Sequence, residues 1–247
     1  MDPEEDLSEL QRNAVLGHLP ARELQRMVPH LDIEDAQLRD SAHERDKPIT
    51  EVRFPLTSVY SVVGVAGGRE EVAVEVATIG REGMVGLPLF LGASSSPHHV
   101  FCQVPGRSAR LSAKHFRDAL VGGGGLHRLL NRFVQAIIVH IAQNTVCNNA
   151  HVTERRAARW LLTTQDRAGA DQFPLTQEFL AQMLGVRRPT VSEVAGALQE
   201  RGLIRYSRGT MTIVDRPGLE HAACSCYDIV KREFDQMVAG PEEGAGA

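Results

Sequence analysis

The sequence lacks both a membrane-spanning run and a segment typical of secretion. Although 43% of its 247 residues are hydrophobic, no apolar run approaches the ~18 residues that a membrane helix needs. The acidic N-terminus, MDPEEDLSEL, has no basic segment followed by an apolar one, as a secretion signal would. These absences predict a soluble cytoplasmic protein without a membrane partner.

Cysteine is also scarce. The four cysteines, Cys102, Cys147, Cys224 and Cys226, are scattered, so they suit neither a disulfide framework nor paired metal-ligand spacing. Two residues apart on a helix, Cys224 and Cys226 would point to different faces, and a shared ion would need another geometry. We therefore predict buried structural thiols, no metal site and no cofactor.

Motifs typical of enzymes are missing as well. There is no Gly-x-Ser-x-Gly, no Walker loop, no His/Cys set with metal spacing and no carboxylate pair in a recognisable context. The stretch GVAGGREE is followed by an alternating strand pattern rather than a helix, which excludes a dinucleotide-binding loop. Catalysis is therefore the least favoured function, and no catalytic residue is predicted.

The net charge of -4 lacks the basic excess of a protein that coats nucleic acid indiscriminately. The charge is nevertheless uneven, because residues 151–216 contain ten arginines against seven acidic residues. The length allows two domains with separate cores. We expect a modestly basic domain attached to an acidic remainder.

Hydrophobic periodicity changes along the chain. Residues 7–31 have helical spacing interrupted by Pro20, whereas residues 46–111 alternate with a period of two, as in EEVAVEVATIG. Gly67-Gly68 suits a hairpin turn. This pattern predicts an antiparallel β-roll of the jelly-roll type, followed by a flexible joint at VGGGG, which ends at Gly125.

A long helix with two apolar sides follows the glycines. Such a helix needs two partners, which we interpret as its own domain and a second copy of the chain. One stripe is predicted as the homodimer interface: Leu130, Phe133, Ile137, His140, Asn144 and Cys147. The second comprises Leu126, Val134, Ile138 and Ile141. Within the first, His140 and Asn144 either set the register of the dimer or turn to solvent.

The stretch LTQEFLAQMLGVRRPTVSEVAGALQERGLIRY, residues 175–206, predicts a helix-turn-helix. Thr176 is suited to cap the first helix, and Gly185 to end it in the left-handed conformation. Pro189 is tolerated only in a first turn, so it marks the start of a second helix. Two short helices joined by a Gly-containing turn are typical of this motif.

The second helix begins with arginines at the positive end of its dipole, where cations are mildly unfavourable. A polyanion would compensate for that cost. Its exposed side offers residue types that contact phosphates and base edges in a major groove: Arg187, Arg188, Thr190, Ser192 and Glu193. LIRYSRGTMTIVD then predicts a hairpin wing, whose Arg205 and Arg208 reach flanking phosphates. Double-stranded DNA is the predicted partner.

Over about residues 10–238 the sequence resembles the Crp/Fnr transcription regulators, through ATIGREGMVGLPLF, the long helix and the helix-turn-helix stretch. The resemblance implies an α+β fold: a cyclic-nucleotide-binding-like sensor roll in residues 1–124, a dimerisation helix and hinge in 125–152, and a winged helix-turn-helix in 153–238. Residues 239–247 are predicted as a disordered tail. The resemblance further implies a homodimer that binds two-fold symmetric promoter DNA and recruits or blocks RNA polymerase.

The same resemblance implies roles for individual positions. Thr176 and Gln177 look like backbone anchors, and Arg188 matches the guanine-reading arginine of the cyclic-AMP receptor protein. Pro189 stands where that protein has a cytosine-contacting glutamate, and Glu193 where it has a contacting arginine. We therefore expect a different half-site.

The sensor region departs further from the family pattern. Candidate ligand-binding residues are Gly83, Met84, Val85, Gly86, Ser96, His98 and His99. However, Ser96-Pro97 replaces the phosphate-binding Arg-Ser pair, Met84 replaces the ribose-binding glutamate, and Ile141-Ala142 replaces the adenine-contacting hydroxyls. We expect that cyclic AMP is not a tight ligand, and that the roll binds an unidentified small-molecule effector or is purely structural.

A redox or gas sensor with DNA as its output remains the alternative. Its input would be Cys102 or Cys147, or a haem held by His98, His99 or His140. The N-terminal cysteine cluster that holds an iron-sulfur centre in oxygen-sensing relatives is missing, because the first cysteine is Cys102.

Overall fold

The computed structural model describes residues 3–66 and 72–239. Three short helices open it: α1 (Pro3–Leu10), α2 (Ala14–Gly17) and α3 (Ala21–Met27), followed by a 3-10 turn at Val28–His30. The buried Asn13 side chain accepts from the first amides of α2, and its Nδ2 donates to the carbonyls of Pro55 and Gly83, both at 2.9 Å. Together with the pairing of Glu9 with Arg107, this side chain joins the N-terminal helices to the β-roll.

The roll consists of two antiparallel sheets, as the alternation predicted. Its strands are β1 (Asp32–Ala36), β2 (Ser41–His43), β3 (Glu51–Pro55), β4 (Val59–Ala66), β5 (Val72–Ile79), β6 (His99–Val104) and β7 (Gly106–Ser112). One sheet has the order β1-β7-β3 and the other β2-β6-β4-β5. Short helices α4 (Leu87–Phe90) and α5 (Ala113–Leu120) complete the roll. The predicted turn at Gly67-Gly68 lies outside the described residues.

The glycines before the long helix occupy positions that a residue with a Cβ would fit poorly. Gly122 and Gly123 adopt positive φ angles of 90° and 69°, which favour glycine. The Glu23 carboxylate accepts from the amides of Gly125 and Leu126 at 2.8 and 3.0 Å, so it caps helix α6 (Gly125–Ala150). A Cβ at Gly124 or Gly125 would overlap α3 or the residue before it. The stretch predicted as a flexible joint is thus a close contact between helices.

The winged helix-turn-helix comprises α7 (Thr153–Ala168), β8 (Gln172–Pro174), α8 (Gln177–Leu184), α9 (Arg188–Glu200), β9 (Ile204–Ser207), β10 (Thr210–Ile213) and α10 (Arg216–Ala222). Val152 precedes α7, and among the described residues no side chain caps that start. Strand β8 pairs with β10 as the third strand of the wing.

The last helix, α11 (Cys226–Ala239), returns to the first half of the chain. Its Val230, Phe234 and Met237 share a hydrophobic core with α6 and the roll. The predicted domain of residues 153–238 therefore includes a helix whose core lies elsewhere. Ala239, the first residue of the predicted tail, ends α11, and the rest of that tail falls outside the described residues. Within residues 3–66 and 72–239, no helix is both long and apolar enough to cross a membrane.

Candidate nucleic-acid interface and sensor elements

The two helices of the helix-turn-helix begin and end as their sequence predicted. Thr176 Oγ1 accepts from the amide of Phe179 at 3.1 Å, capping α8. Gly185 ends that helix with a φ of 62°. Helix α9 then begins at Arg188 with Pro189 in its first turn. The start of α9 is exposed at the protein surface.

The predicted DNA-contacting face of α9 is solvent-exposed. Arg187, Arg188, Pro189, Ser192 and Glu193 are exposed and Thr190 is half-buried, whereas the opposite face buries Val191, Ala195 and Leu198. Among the described residues, no side chain caps the first turn of α9. Its amides and two arginines therefore point positive charge at solvent, which suits an anion.

Gln177 has a role that the sequence did not reveal. Its Oε1 accepts from Ser192 Oγ at 2.8 Å, linking the first turn of α8 to the exposed face of α9. Ser192 Oγ also lies 3.3 Å from the carbonyl of Arg188. The predicted backbone anchor and a predicted base-contacting residue therefore form one hydrogen-bonded unit.

The wing is a hairpin with its tip at Arg208-Gly209, as predicted. Both residues have positive φ angles, 51° and 76°, as a two-residue type I′ turn requires. Arg205 and Arg208 are exposed. The amide of Tyr206 donates to Gln199 Oε1 at 2.8 Å, which attaches the wing to α9.

Three arginines of α7 are buried rather than exposed, with 9% (Arg156), 6% (Arg159) and 4% (Arg167) of their surfaces accessible. Arg159 donates to Asn144 Oδ1 at 2.7 Å. Arg167 pairs with Glu82 of the roll at 2.7 Å, and Arg156 donates to the carbonyl of Leu184. These three arginines, which help to make the domain basic, therefore neutralise and orient internal groups.

The six residues predicted to form the dimer interface are buried within their own chain: Leu130, Phe133, Ile137, His140, Asn144 and Cys147. The reason is that the β-roll, α7 and α11 together cover this side of α6. Asn144 Nδ2 donates to the Val76 carbonyl at 2.9 Å, and His140 Nδ1 lies 3.2 Å from Arg167 Nη2. Burial, with the charge of Arg167 nearby, keeps the pKa of His140 well below its usual value. Neither polar group is turned to solvent or available to a second copy.

A different side of α6 exposes apolar surface. Ile138 is 56% exposed, Ile141 39% and Val146 53%, with Val134 half-buried beside them. Ile138 and Ile141 belong to the second predicted apolar surface, of which Leu126 is instead buried.

The seven candidate sensor residues fall into two groups. Gly83 to Gly86 are buried against β3 and α6, where a Cβ at Gly83 would overlap the Phe133 ring and Met84 has no accessible surface. Ser96, His98 and His99 contact one another or β2: Ser96 Oγ accepts from the His98 amide at 3.1 Å, and His99 Nε2 lies 3.1 Å from Ser41 Oγ. Neither group shows the charge pattern of a nucleotide site.

A cavity of about 380 Å³ lies at the junction of the roll with α7 and α11. Charged and aromatic side chains line it, among them Arg12, Arg81, Asp166, Arg167, Tyr227 and Lys231. None of the predicted sensor residues takes part. Sequence patterns could not reveal this cavity, because its walls come from four distant segments.

The expectation that the cysteines are scattered was wrong for three of them. Cys147, Cys224 and Cys226 lie together with His151, with one ligand atom of each within 4.8 Å of the others. Cys224 precedes α11 and Cys226 begins it, so the helical spacing that would separate them does not apply. Cys102 is buried separately in the roll, and burial raises its pKa to about 12.

Comparisons with known proteins agree with this architecture. Residues 155–222 match the family model of the Crp-like helix-turn-helix domain. FixK2 from Bradyrhizobium japonicum is 15% identical with a TM-score of 0.64, covering 78% of this chain and 98% of that one. A putative Crp/Fnr-family regulator from Eubacterium rectale is 15% identical with a TM-score of 0.61, covering 83% and 95%. A comparison with curated proteins gives no match.

A third similar structure is the regulator CLP from Xanthomonas campestris, described as responsive to c-di-GMP. It is 15% identical with a TM-score of 0.57, covering 78% of this chain and 99% of that one. All three structures share the arrangement of a β-roll joined by a long helix to a winged helix-turn-helix. Residues 155–222 therefore form a Crp-like helix-turn-helix domain, and the chain shares its fold with these solved structures.

Proposed function

We propose that this chain is a transcription regulator of the Crp/Fnr type. It binds two-fold symmetric promoter DNA as a homodimer and reads each half-site with the first turn of α9. The observation that carries the proposal is the exposed and uncapped start of this helix, with Arg187 and Arg188 beside it. Cations at that end cost a few tenths of a kcal/mol in the free protein. Phosphate and guanine contacts offset that cost.

Different residues contribute different parts of recognition. The Arg188 guanidinium suits bidentate donation to guanine O6 and N7, and Thr190 with the Gln177-linked Ser192 contacts neighbouring positions. Arg187 and Arg208 contact phosphates, as do the amides at the start of α8 near Thr176. Pro189 and Glu193 make the half-site different from that of the cyclic-AMP receptor protein.

The homodimer forms through the exposed apolar side of α6. Val134, Ile138 and Ile141 follow spacings of four and three residues, the pattern of a helix pair. This interface replaces the predicted six-residue stripe. Two recognition helices then sit about 34–36 Å apart and enter successive major grooves. The break between α6 and α7 at His151-Val152 is the hinge that adjusts this spacing.

The sensor input is not cyclic AMP. Met84 is buried and offers no carboxylate where the resemblance places a ribose-binding glutamate, and a Cβ at Gly83 would overlap the Phe133 ring. An unidentified small effector fits better in the cavity at the junction of the roll with α7, where it would contact both domains. A redox input at Cys102 is disfavoured, because the burial that raises its pKa suppresses the reactive thiolate. Bound at a promoter in the cytoplasm, the dimer recruits or blocks RNA polymerase.

Selection from random-sequence DNA at fixed salt tests the DNA proposal. The full-length protein should enrich a two-fold symmetric motif with half-site centres about ten base pairs apart. Arg188→Ala should lose the motif, whereas Arg22→Ala, an exposed arginine on α3, should retain it. Enrichment of no symmetric motif, with or without extracts that supply small molecules, would contradict the proposal.

Sedimentation equilibrium tests the interface. Ile138→Glu should convert the dimer to a monomer, because it places two charges in an apolar seam. Val121→Glu is the matched control, since Val121 is 82% exposed in the loop before α6. A dimer that survives Ile138→Glu and Ile141→Glu together would show that this side of α6 is not the interface.

A further inference from the structure

Four metal-ligating side chains meet where the chain passes between the winged helix-turn-helix and the rest of the protein. Cys147 and His151 lie at the end of α6, four residues apart and therefore on one side of the helix. Cys224 and Cys226 lie between α10 and α11. The three cysteines are buried and His151 is half-buried. Both connections to the DNA-binding domain contribute two residues each.

The distances suit a single tetrahedral ion. Cys147 Sγ and Cys224 Sγ are 3.5 Å apart, and Cys226 Sγ is 3.5 Å from His151 Nδ1. Tetrahedral Zn²⁺ places neighbouring sulfurs about 3.8 Å apart and a sulfur and nitrogen about 3.6 Å apart, given its usual bond lengths. We propose that Cys147, His151, Cys224 and Cys226 bind one Zn²⁺ ion as a closed Cys3His structural site.

The donor set selects this metal class. Thiolates and imidazole favour zinc over magnesium or calcium, which prefer oxygen ligands. An iron-sulfur cluster distributes its cysteines over two or more iron atoms and would need a wider spacing than the 4.8 Å within which all four ligand atoms lie. Four protein ligands leave no open position, so the ion holds structure and carries out no reaction.

The surroundings match an anionic metal centre. Three thiolates and a neutral imidazole on Zn²⁺ carry one net negative charge. Gln143 Nε2 donates to Cys226 Sγ at 3.0 Å, the kind of outer contact that orients a ligand. The buried guanidiniums of Arg156 and Arg159 act electrostatically on Cys147. Among the described residues, the Nε of each has no hydrogen-bond partner.

Zinc binding would tie both ends of the DNA-binding domain together. The ion displaces the thiol protons of Cys147, Cys224 and Cys226 into solvent and joins segments 77 residues apart. It closes residues 148–223 into a loop, which restricts the unfolded chain as a cross-link does. Because His151 immediately follows α6, the ion also restrains the hinge between α6 and α7.

Metal analysis and cobalt spectroscopy of the full-length protein test this site. Protein produced with added zinc and purified under reducing conditions should contain one zinc per chain. Replacement by Co²⁺ should give the intense visible bands of tetrahedral cobalt and the charge-transfer absorption of three thiolates. Cys102→Ser, which removes the one cysteine outside the site, should leave metal content and spectrum unchanged.

Two variants make the ligand assignment specific. Cys224→Ser with Cys226→Ser should abolish the stoichiometric metal, while His151→Cys should retain it and shift the cobalt spectrum toward four thiolates. The His151→Cys result does not depend on loss of folding. The proposal is overturned if the reduced wild-type protein takes up no zinc or cobalt, if it contains iron with acid-labile sulfide, or if alkylation and mass spectrometry show a Cys147–Cys224 disulfide instead.

Discussion

The arginines at the start of α9 and those of α7 belong to one small domain but have opposite roles. Arg187 and Arg188 are exposed at an uncapped helix start, whereas Arg159 and Arg167 are buried and hydrogen-bonded to α6 and the roll. The first pair leaves its charge available to a polyanion. The second uses its charge to fix the winged helix-turn-helix on α6 and the β-roll. Counting basic residues cannot distinguish these roles, but the partners of each guanidinium can.

The largest effect should come from removing a buried guanidinium. Arg167→Met leaves Glu82 and His140 without their partner and removes the cation over the Phe234 ring. Breaking a buried pair costs about 3–5 kcal/mol of unfolding free energy, measurable by urea denaturation. Arg188→Met, at an exposed position, should change the same quantity by less than about 0.5 kcal/mol. Equal effects of the two variants would contradict the distinction.

A smaller, pH-dependent effect is expected at Glu75, whose buried carboxylate contacts Trp160 of α7. Its oxygens accept from Ser61 Oγ at 2.7 Å and Trp160 Nε1 at 2.8 Å, and burial raises its pKa from 4.5 to about 7. A raised folded-state pKa means that stability is fully present below pH 4.5 and is lost as the pH rises to about 7. Over this pH range the free energy of unfolding should fall by about 3 kcal/mol.

Glu75→Gln mimics the protonated carboxyl and should flatten this part of the pH profile of unfolding free energy. Glu200→Gln, at the exposed end of α9, should keep the wild-type slope. If Glu75→Gln leaves the slope between pH 4.5 and 7 unchanged, the charge of Glu75 does not govern how α7 docks on the roll.

The smallest effect is predicted for the wing. Arg208→Asn keeps a residue that tolerates the positive φ of 51° and removes one phosphate contact. The slope of log affinity against log salt should fall by about one, with the preferred DNA sequence unchanged. Fluorescence-anisotropy titrations at several salt concentrations measure this. An altered sequence preference would assign Arg208 to base recognition instead.

Local patterns in the sequence predicted the starts and ends of the two helices of the helix-turn-helix well. The Thr176 cap, the Gly185 terminus and the Pro189 start each depend on residues within one helical turn, so their consequences could be seen in the chain itself. The alternation of the roll was predictable for the same reason. In these regions, nearby residues determine the conformation.

Contacts between distant segments could not be predicted from local sequence patterns. The apolar stripe of α6 was correctly found, but within this chain the β-roll, α7 and α11 cover it. Arg167 meets Glu82, and Cys147 meets Cys224, across long stretches of sequence. Periodicity shows that a side must be covered and does not identify what covers it.

Methylation interference on the selected DNA tests the central claim most directly. For the wild-type protein, methylation of guanine N7 should block binding at one position in each half-site, the two positions being about one helical turn apart. In Arg188→Ala this interference should vanish at both positions while contacts to flanking phosphates persist. Interference that is unchanged in Arg188→Ala, or confined to one half-site, would contradict recognition by paired α9 helices.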